Sequence, residues 1–181
     1  MTPFEELLAT PRMGPDTDKA DPNNFLHALL DLFETIRGFQ EHLRVLEIGC
    51  WHGVSTELFL QMCAHVTAVD PWSGMDDTFE GFKRRCHDYP NLTIIRGASP
   101  QAIEHFSNAF DLCYIDGDHS YEGVKGDIIA CRYAVAPSGW LAGHDFHLPG
   151  VQKAVRELLP EPQIFADQSW LVRNQVLKSL A

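Results

Sequence analysis

The sequence is short of positive charge. Its 181 residues carry 14 Lys and Arg against 25 Asp and Glu, a formal net charge of −11. That balance argues against a nucleic-acid backbone or an anionic membrane as main partner, since both need a basic face. No apolar run approaches the ~18 residues that a membrane-spanning helix requires. The N-terminus, Met1-Thr-Pro-Phe-Glu-Glu, has neither the basic start nor the long apolar stretch of a signal peptide. The five cysteines (Cys50, Cys63, Cys86, Cys113, Cys131) are odd in number and widely spaced, and no C-x-x-C occurs. A disulfide framework or zinc knuckle is therefore not expected. Cys63, Cys113 and Cys131 sit in apolar segments and read as small buried hydrophobes. A reduced, cytoplasmic protein fits this usage. No G-x-S-x-G elbow is present, which disfavours an α/β-hydrolase. No G-x-x-x-x-G-K-[ST] is present, which removes a P-loop.

What is there is a regular alternation. Residues 1–20 read as a loose leader, with Thr10-Pro11, Gly14-Pro15 and Asp16-Thr-Asp-Lys as breakers. One domain is expected over residues 21–181. Asp21-Pro22 caps and starts a helix whose apolar face is Phe25, Leu29, Phe33 and Ile36, ending near Gly38. This helix over 21–40 packs on the domain or covers its site. Strands follow at Arg44–Ile48, His65–Asp70, Asn91–Arg96, Phe110–Ile115 and Trp140–Gly143. Helices fall between them at Val54–Ala64, Asp77–His87, from Ser99-Pro100, and along Tyr121, Val124, Ile128, Cys131 and Val135. Val151, Ala154, Val155, Leu158 and Leu159 mark one more helix face. Gln163–Ala166 and Trp170–Arg173 flank Asp167-Gln-Ser and suggest a strand pair. The expected fold is α/β: a Rossmann-like doubly wound sheet, mostly parallel, with a C-terminal antiparallel strand and helices on both faces.

In such sheets ligands bind beyond the carboxyl ends of the strands. The residues leaving the five strands are Glu47-Ile-Gly-Cys-Trp-His-Gly53, Asp70-Pro-Trp-Ser-Gly74, Arg96-Gly-Ala-Ser99, Asp116-Gly-Asp-His-Ser-Tyr121 and Gly143-His-Asp-Phe-His147. Gly49 and Gly53 allow a tight turn and close backbone approach. Trp51 takes the place of the middle glycine of G-x-G-x-x-G. An acid at the end of the second strand, here Asp70, suits ribose hydroxyls. Trp72 either stacks on a ligand or plugs the sheet end.

The run Val45-Leu-Glu-Ile-Gly-Cys-Trp-His-Gly-Val-Ser-Thr56 with Val69-Asp-Pro-Trp-Ser-Gly74 resembles class I S-adenosylmethionine-dependent methyltransferases. The subgroup implied is the small-molecule O-methyltransferase-like one, whose loop reads E-x-G-x-x-x-G-x-S. Its later signatures I-D-G-D-H-x-Y and G-H-D stand here as Ile115–Tyr121 and Gly143-His-Asp145. The resemblance covers roughly residues 43–160. It implies that Glu47 and Gly49 shape the methionine pocket and that Asp70 binds the ribose. Ala98 and Ser99 would lie beside the adenine, and Asp116 near the amino-acid end or the reacting centre; Gly53 and Trp72, which could stack on the adenine, are further cofactor-binding candidates from their places in the first two exits.

Some relatives bind a divalent metal through acids after strands four and five. The matching positions are Asp116, His144 and Asp145, with His144 in place of an acid. An imidazole suits Mn, Fe or Zn better than Mg. Without a metal, Asp118, His119 or His144 would serve as general base, with His52 and His147 as secondary candidates. The expected activity is methyl transfer to a small molecule, at a hydroxyl oxygen. Alternatives are an NAD-dependent oxidoreductase, an inactive cofactor-binding protein, and a metal-dependent oxygenase. The oxygenase requires the backbone to turn at Asp145, because adjacent residues leaving a strand point apart. The expected partner is a small-molecule acceptor, with neither nucleic acid nor membrane. A lid would come from residues 1–20, the 71–77 loop or a second subunit, so a homo-oligomer is one expectation.

Overall fold

The computed structural model describes residues 22–36 and 42–174, with side chains in the first helix from residue 27 onward. The leader over 1–20, the helix end near Gly38 and the Phe25 side chain lie outside the described residues. Five helices are described: α1 (Pro22–Thr35), α2 (Val54–Met62), α3 (Asp76–Cys86), α4 (Tyr121–Ala134) and α5 (Pro149–Leu158). The strands are β1 (Arg44–Ile48), β2 (His65–Asp70), β3 (Leu92–Arg96), β4 (Phe110–Ile115), β5 (Val135–Gly143), β6 (Gln163–Ile164) and β7 (Trp170–Arg173). Among the described residues no helix is long and apolar enough to cross a membrane.

The seven strands form one sheet in the order β3-β2-β1-β4-β5-β7-β6. Pairings from β3 through β5 are parallel, and β7 runs antiparallel to both β5 and β6. The Rossmann-like expectation is therefore what the chain adopts, with the antiparallel strand inserted inside the sheet rather than added at its edge. β1 and β2 are buried along nearly their whole length, as strands covered on both faces must be. One face holds Leu29, Phe33, Phe59, Phe82 and Trp72, from α1, α2, α3 and the β2 exit. The other holds Ile128, Cys131, Val151 and Val155 from α4 and α5, with Trp170 of β7. The chain winds outward from β1 to β3, then crosses back to β4. The switch in strand order thus lies between β1 and β4, the place where sheets of this kind bind ligands.

Two expectations change. The helix expected from Ser99-Pro100 is a single 3-10 turn, Gln101–Ile103, with no side-chain cap. Asn108, in a left-handed conformation at φ 51, ends the segment before β4. The fifth strand starts earlier than expected and runs through Pro137-Ser-Gly139 with a register shift against β4.

The apolar stripe of α1 is core: Leu29, Leu32, Phe33 and Ile36 are all buried. Phe33 meets Phe59 with ring centroids 5.5 Å apart. Phe33→Ala should therefore cost about 3–5 kcal/mol in urea unfolding. A loss below about 1 kcal/mol would mean that α1 does not hold the sheet.

Candidate active site at the strand exits

The loop after β1 is built on backbone shapes that side chains resist. Gly49 and Gly53 have φ of 82 and 79, and Trp51 sits at φ 44. A Cβ at Gly49 would collide with the Asp116 carbonyl and lie 2.6 Å from the Gly117 Cα. The exits of β1 and β4 therefore touch backbone to backbone, as the glycine reading requires. Gly53 starts α2, and a Cβ there would meet Cys86 Sγ and Phe82 Cδ2 at 2.9 Å.

Two acids clasp this loop. Asp70 Oδ2 accepts from the backbone N–H groups of Cys50 at 2.9 Å and Trp51 at 3.1 Å, and Oδ1 accepts from Trp72 N–H at 2.7 Å. Oδ1 keeps capacity for a further donor. Beneath it the fully buried Glu47 accepts from the hydroxyls of Ser55 and Thr56 in the first turn of α2. Burial pushes the Glu47 carboxyl up to about 7, against the pull of those hydroxyls.

Trp72 is the plug of its two readings. It is 0% exposed, packs on Phe79 and Phe82 at 4.8 and 4.9 Å, and donates its indole N–H to Trp51 O. Its ring offers no face to a ligand, so its place beside the adenine is corrected. Ala98 is exposed, and the Ser99 hydroxyl is buried without a hydrogen-bond partner.

The exits of β4 and β5 carry the charged cluster. One ligand atom each from Asp116, His144 and Asp145 falls within 4.8 Å of the others. The convergence has a local cause: Asp145 is left-handed at φ 57, so the backbone turns where adjacent side chains would otherwise diverge. His119 Nε2 lies 3.0 Å from Asp145 Oδ2 and 3.6 Å from Asp116 Oδ1. Hydrogen bonding to Asp116, then Asp145, raises the imidazole pKa to about 10. The same contacts, led by His119 and then His144, hold Asp145 well below the usual carboxylate range. Burial pushes Asp116 upward instead, although His119 and His144 oppose it. For His144, burial works downward, but its hydrogen bond to Asp145 and the charges of Asp116 and Asp167 win, and the net shift is upward.

The three general-base candidates differ in their surroundings. The contacts of His119 with Asp116 and Asp145 favour its protonated form. Asp118 accepts from the Ser120 N–H at 2.8 Å and hydroxyl at 2.9 Å, bonds that lower its pKa, while Ser120 caps α4 through Gly123 N–H. These bonds hold the turn into α4. His147 joins the cluster, 3.7 Å from Asp145, whereas His52 packs on Trp51 beside α3. Asp167 was legible only as a turn. The insertion of β7 beside β5 carries it to 3.7 Å from His144 Nε2, and Ser169 N–H and hydroxyl fix it at 2.8 Å.

A family profile described as a methyltransferase domain matches residues 46–146, more than half of the chain. The chain belongs to this methyltransferase domain family. No curated protein matches it. Among solved structures, the N-methyltransferase NodS from Bradyrhizobium japonicum, bound to S-adenosylhomocysteine, is 21% identical. It superposes with a TM-score of 0.61 over 94% of this chain and 95% of that one. An S-adenosylmethionine-dependent O-methyltransferase from Thermotoga maritima is 13% identical, with a TM-score of 0.60 over 94% and 70%. A Haemonchus contortus phosphoethanolamine N-methyltransferase, bound to phosphoethanolamine and S-adenosylhomocysteine, is 14% identical, with a TM-score of 0.58. The match covers 80% of this chain, which spans only 31% of that protein's length. At these identities the neighbours establish the fold of the methyltransferase domain. Its matched segment runs from Leu46 in β1 to Phe146 and contains Glu47, Asp70, Asp116, His119, His144 and Asp145, while His147 and Asp167 lie beyond it.

The buried Glu47 makes stability depend on pH. Its folded pKa of about 7 lies above the ordinary value of 4.5. The stability it contributes is full below pH ~4.5 and is lost as pH rises through about 7, by roughly 3 kcal/mol. Urea unfolding between pH 5 and 8 should show this decline, and Glu47→Gln should flatten it. An unchanged slope in Glu47→Gln would contradict the assignment.

Proposed function

We propose that the protein transfers a methyl group from S-adenosylmethionine to a hydroxyl oxygen of a small molecule. The observation that carries this reading is the meeting of Asp116, His144 and Asp145 beside the glycine loop. The family supplies the reaction class, and the cluster supplies a place for the acceptor.

The cofactor brings an electrophilic methyl on sulfur, so the hard chemistry is its own. The chain's part is to hold two reactants in line and to manage one proton. Gly49 and Glu47 keep the methionine end open at the foot of α2, and Asp70 Oδ1 takes a ribose hydroxyl. Ala98 and Ser99 flank the base. The acceptor oxygen would lie over the Asp116–Asp145 cluster. As the carbon–oxygen bond forms and the carbon–sulfur bond breaks, the hydroxyl proton has to leave.

Two carboxylates and one imidazole within 4.8 Å fit a divalent cation. Asp116, His144 and Asp145 would hold it, with Mn, Fe or Zn preferred over Mg for the imidazole. Such a cation lowers the pKa of a bound hydroxyl and fixes its orientation. His119 supports a second, metal-free reading. Its positive charge already balances Asp116 and Asp145, leaving His144, between Asp145 and Asp167, to take the proton.

The test is turnover with a panel of catechol and phenol acceptors, followed as S-adenosylhomocysteine release. The metal reading expects loss with a chelator and recovery with Mn. Turnover that survives the chelator favours His144 as base. In either case Asp145→Ala should keep S-adenosylhomocysteine affinity within about threefold and lower transfer at least 100-fold. Methylation of amines alone would contradict the hydroxyl acceptor.

A further inference from the structure

Asp167 lies outside the segment that the methyltransferase profile matches, and no exit of the parallel strands supplies it. It comes from the turn between β6 and β7. The antiparallel pairing of β7 with β5 brings it in. Gly143 pairs with Trp170, so the chain leaving β5 and the chain entering β7 run side by side at one end of the sheet. Phe146 N–H donates to Gln168 O at 3.0 Å and ties the two together beyond the strands. An acid in a turn is normally solvated, yet the Asp167 side chain is only 4% exposed.

Its carboxylate is held in one orientation. Ser169 N–H donates to Oδ1 and the Ser169 hydroxyl to Oδ2, both at 2.8 Å. That hydroxyl spends its proton on Asp167, so Tyr114 donates its own to Ser169 Oγ, 3.2 Å away. Ser169 and Tyr114 are both fully buried. A turn alone needs only the backbone bond. A buried serine and tyrosine lined up behind the carboxylate also aim it. Oδ2 faces His144 Nε2, 3.7 Å off. The other ring nitrogen, Nδ1, faces the corner of the site, 3.4 Å from Asp145 Oδ1 and 3.9 Å from Asp116 Oδ1. The two nitrogens of one imidazole therefore look at different carboxylates. When one ring nitrogen donates its proton to a carboxylate, the tautomer is fixed and the other nitrogen presents its lone pair.

We propose that Asp167 is a positioning residue for His144. It accepts the Nε2 proton and so presents Nδ1 to a cation held with Asp116 and Asp145. Negative charge behind the ring makes Nδ1 the stronger donor to that cation. The 3.7 Å gap closes to hydrogen-bond length in the loaded site, where such contacts tighten. The proposal rests on the cation reading above. It adds the side chain that lets a histidine serve at a position where relatives carry an acid.

The experiment is calorimetric titration of the full chain with Zn, wild type against Asp167→Asn at one fixed pH. Asparagine keeps an oxygen for the Ser169 N–H and loses the charge that faces Nε2. Zn affinity should fall by about tenfold or more. A role confined to the turn would lower the melting temperature and leave Zn affinity within about twofold, which overturns the proposal. Nitrogen NMR of the histidine-labelled, Zn-loaded wild type supplies a second reading that needs no variant. His144 should carry its proton on Nε2 and the metal on Nδ1. Metal on Nε2 overturns the proposal, so failure of Asp167→Asn to fold does not protect it. Zn binding that ignores Asp167 sinks the proposal alone. No Zn binding by the wild type sinks the cation reading and the proposal together.

Discussion

One carboxylate holds the functional end of this sheet in shape. Asp70 gathers the backbone N–H groups of Cys50, Trp51 and Trp72, which belong to two different strand exits. Trp51 and Trp72 both sit in left-handed conformations, at φ 44 and 40, that bulky residues avoid at a cost of order 1–3 kcal/mol each. Charge-assisted hydrogen bonds to a buried acid offset that strain. The indole of Trp72 then donates back to Trp51 O, and its ring fills the space between Phe79 and Phe82. Removing the carboxylate would therefore release the loop as well as any ribose contact. Asp70→Asn, which keeps the side chain's size and one acceptor oxygen, separates the two better than Asp70→Ala.

From that clasp the rest follows by contact. The loop's Gly49 lies against the Asp116–Gly117 backbone, so the β4 exit is positioned by the β1 exit. The ladder continues past the strands themselves, with Asp116 N–H donating to Ile48 O at 2.7 Å and His144 N–H to Ile115 O at 3.1 Å. Asp145 turns the chain back at φ 57. Three acids and three histidines then share one corner, and their charges sort themselves out. His119 carries a proton, Asp145 gives its own up readily, and Asp116 is pushed the other way by burial. A site that drives neighbouring groups apart in pKa is suited to moving a proton.

Much of this was legible in the sequence because the signals are local. Short apolar runs ending in Asp or Gly marked β1 to β5 and their exits, and alternation with helical stripes gave the sheet. Glycines at 49 and 53 announced left-handed turns. What was not legible depends on distant contacts or on backbone conformation. The Asp145 turn needs a left-handed non-glycine residue, which no motif of residue types specifies. Asp167 reaches the site only because β7 enters the sheet beside β5. Trp72 reads equally well as ligand platform or core until Phe79 and Phe82 are seen to enclose it. Ser99-Pro100 resembled a helix start, yet the chain makes only the uncapped 3-10 turn Gln101–Ile103 there and turns left-handed at Asn108.

The account stands on the strand exits being an S-adenosyl pocket. The most direct measurement is calorimetric titration of the purified protein with S-adenosylhomocysteine, with NAD as the comparison. The account predicts saturable binding of S-adenosylhomocysteine with a dissociation constant on the order of micromolar, about −8 kcal/mol, and no heat from NAD. Binding of NAD with silence from S-adenosylhomocysteine would contradict it.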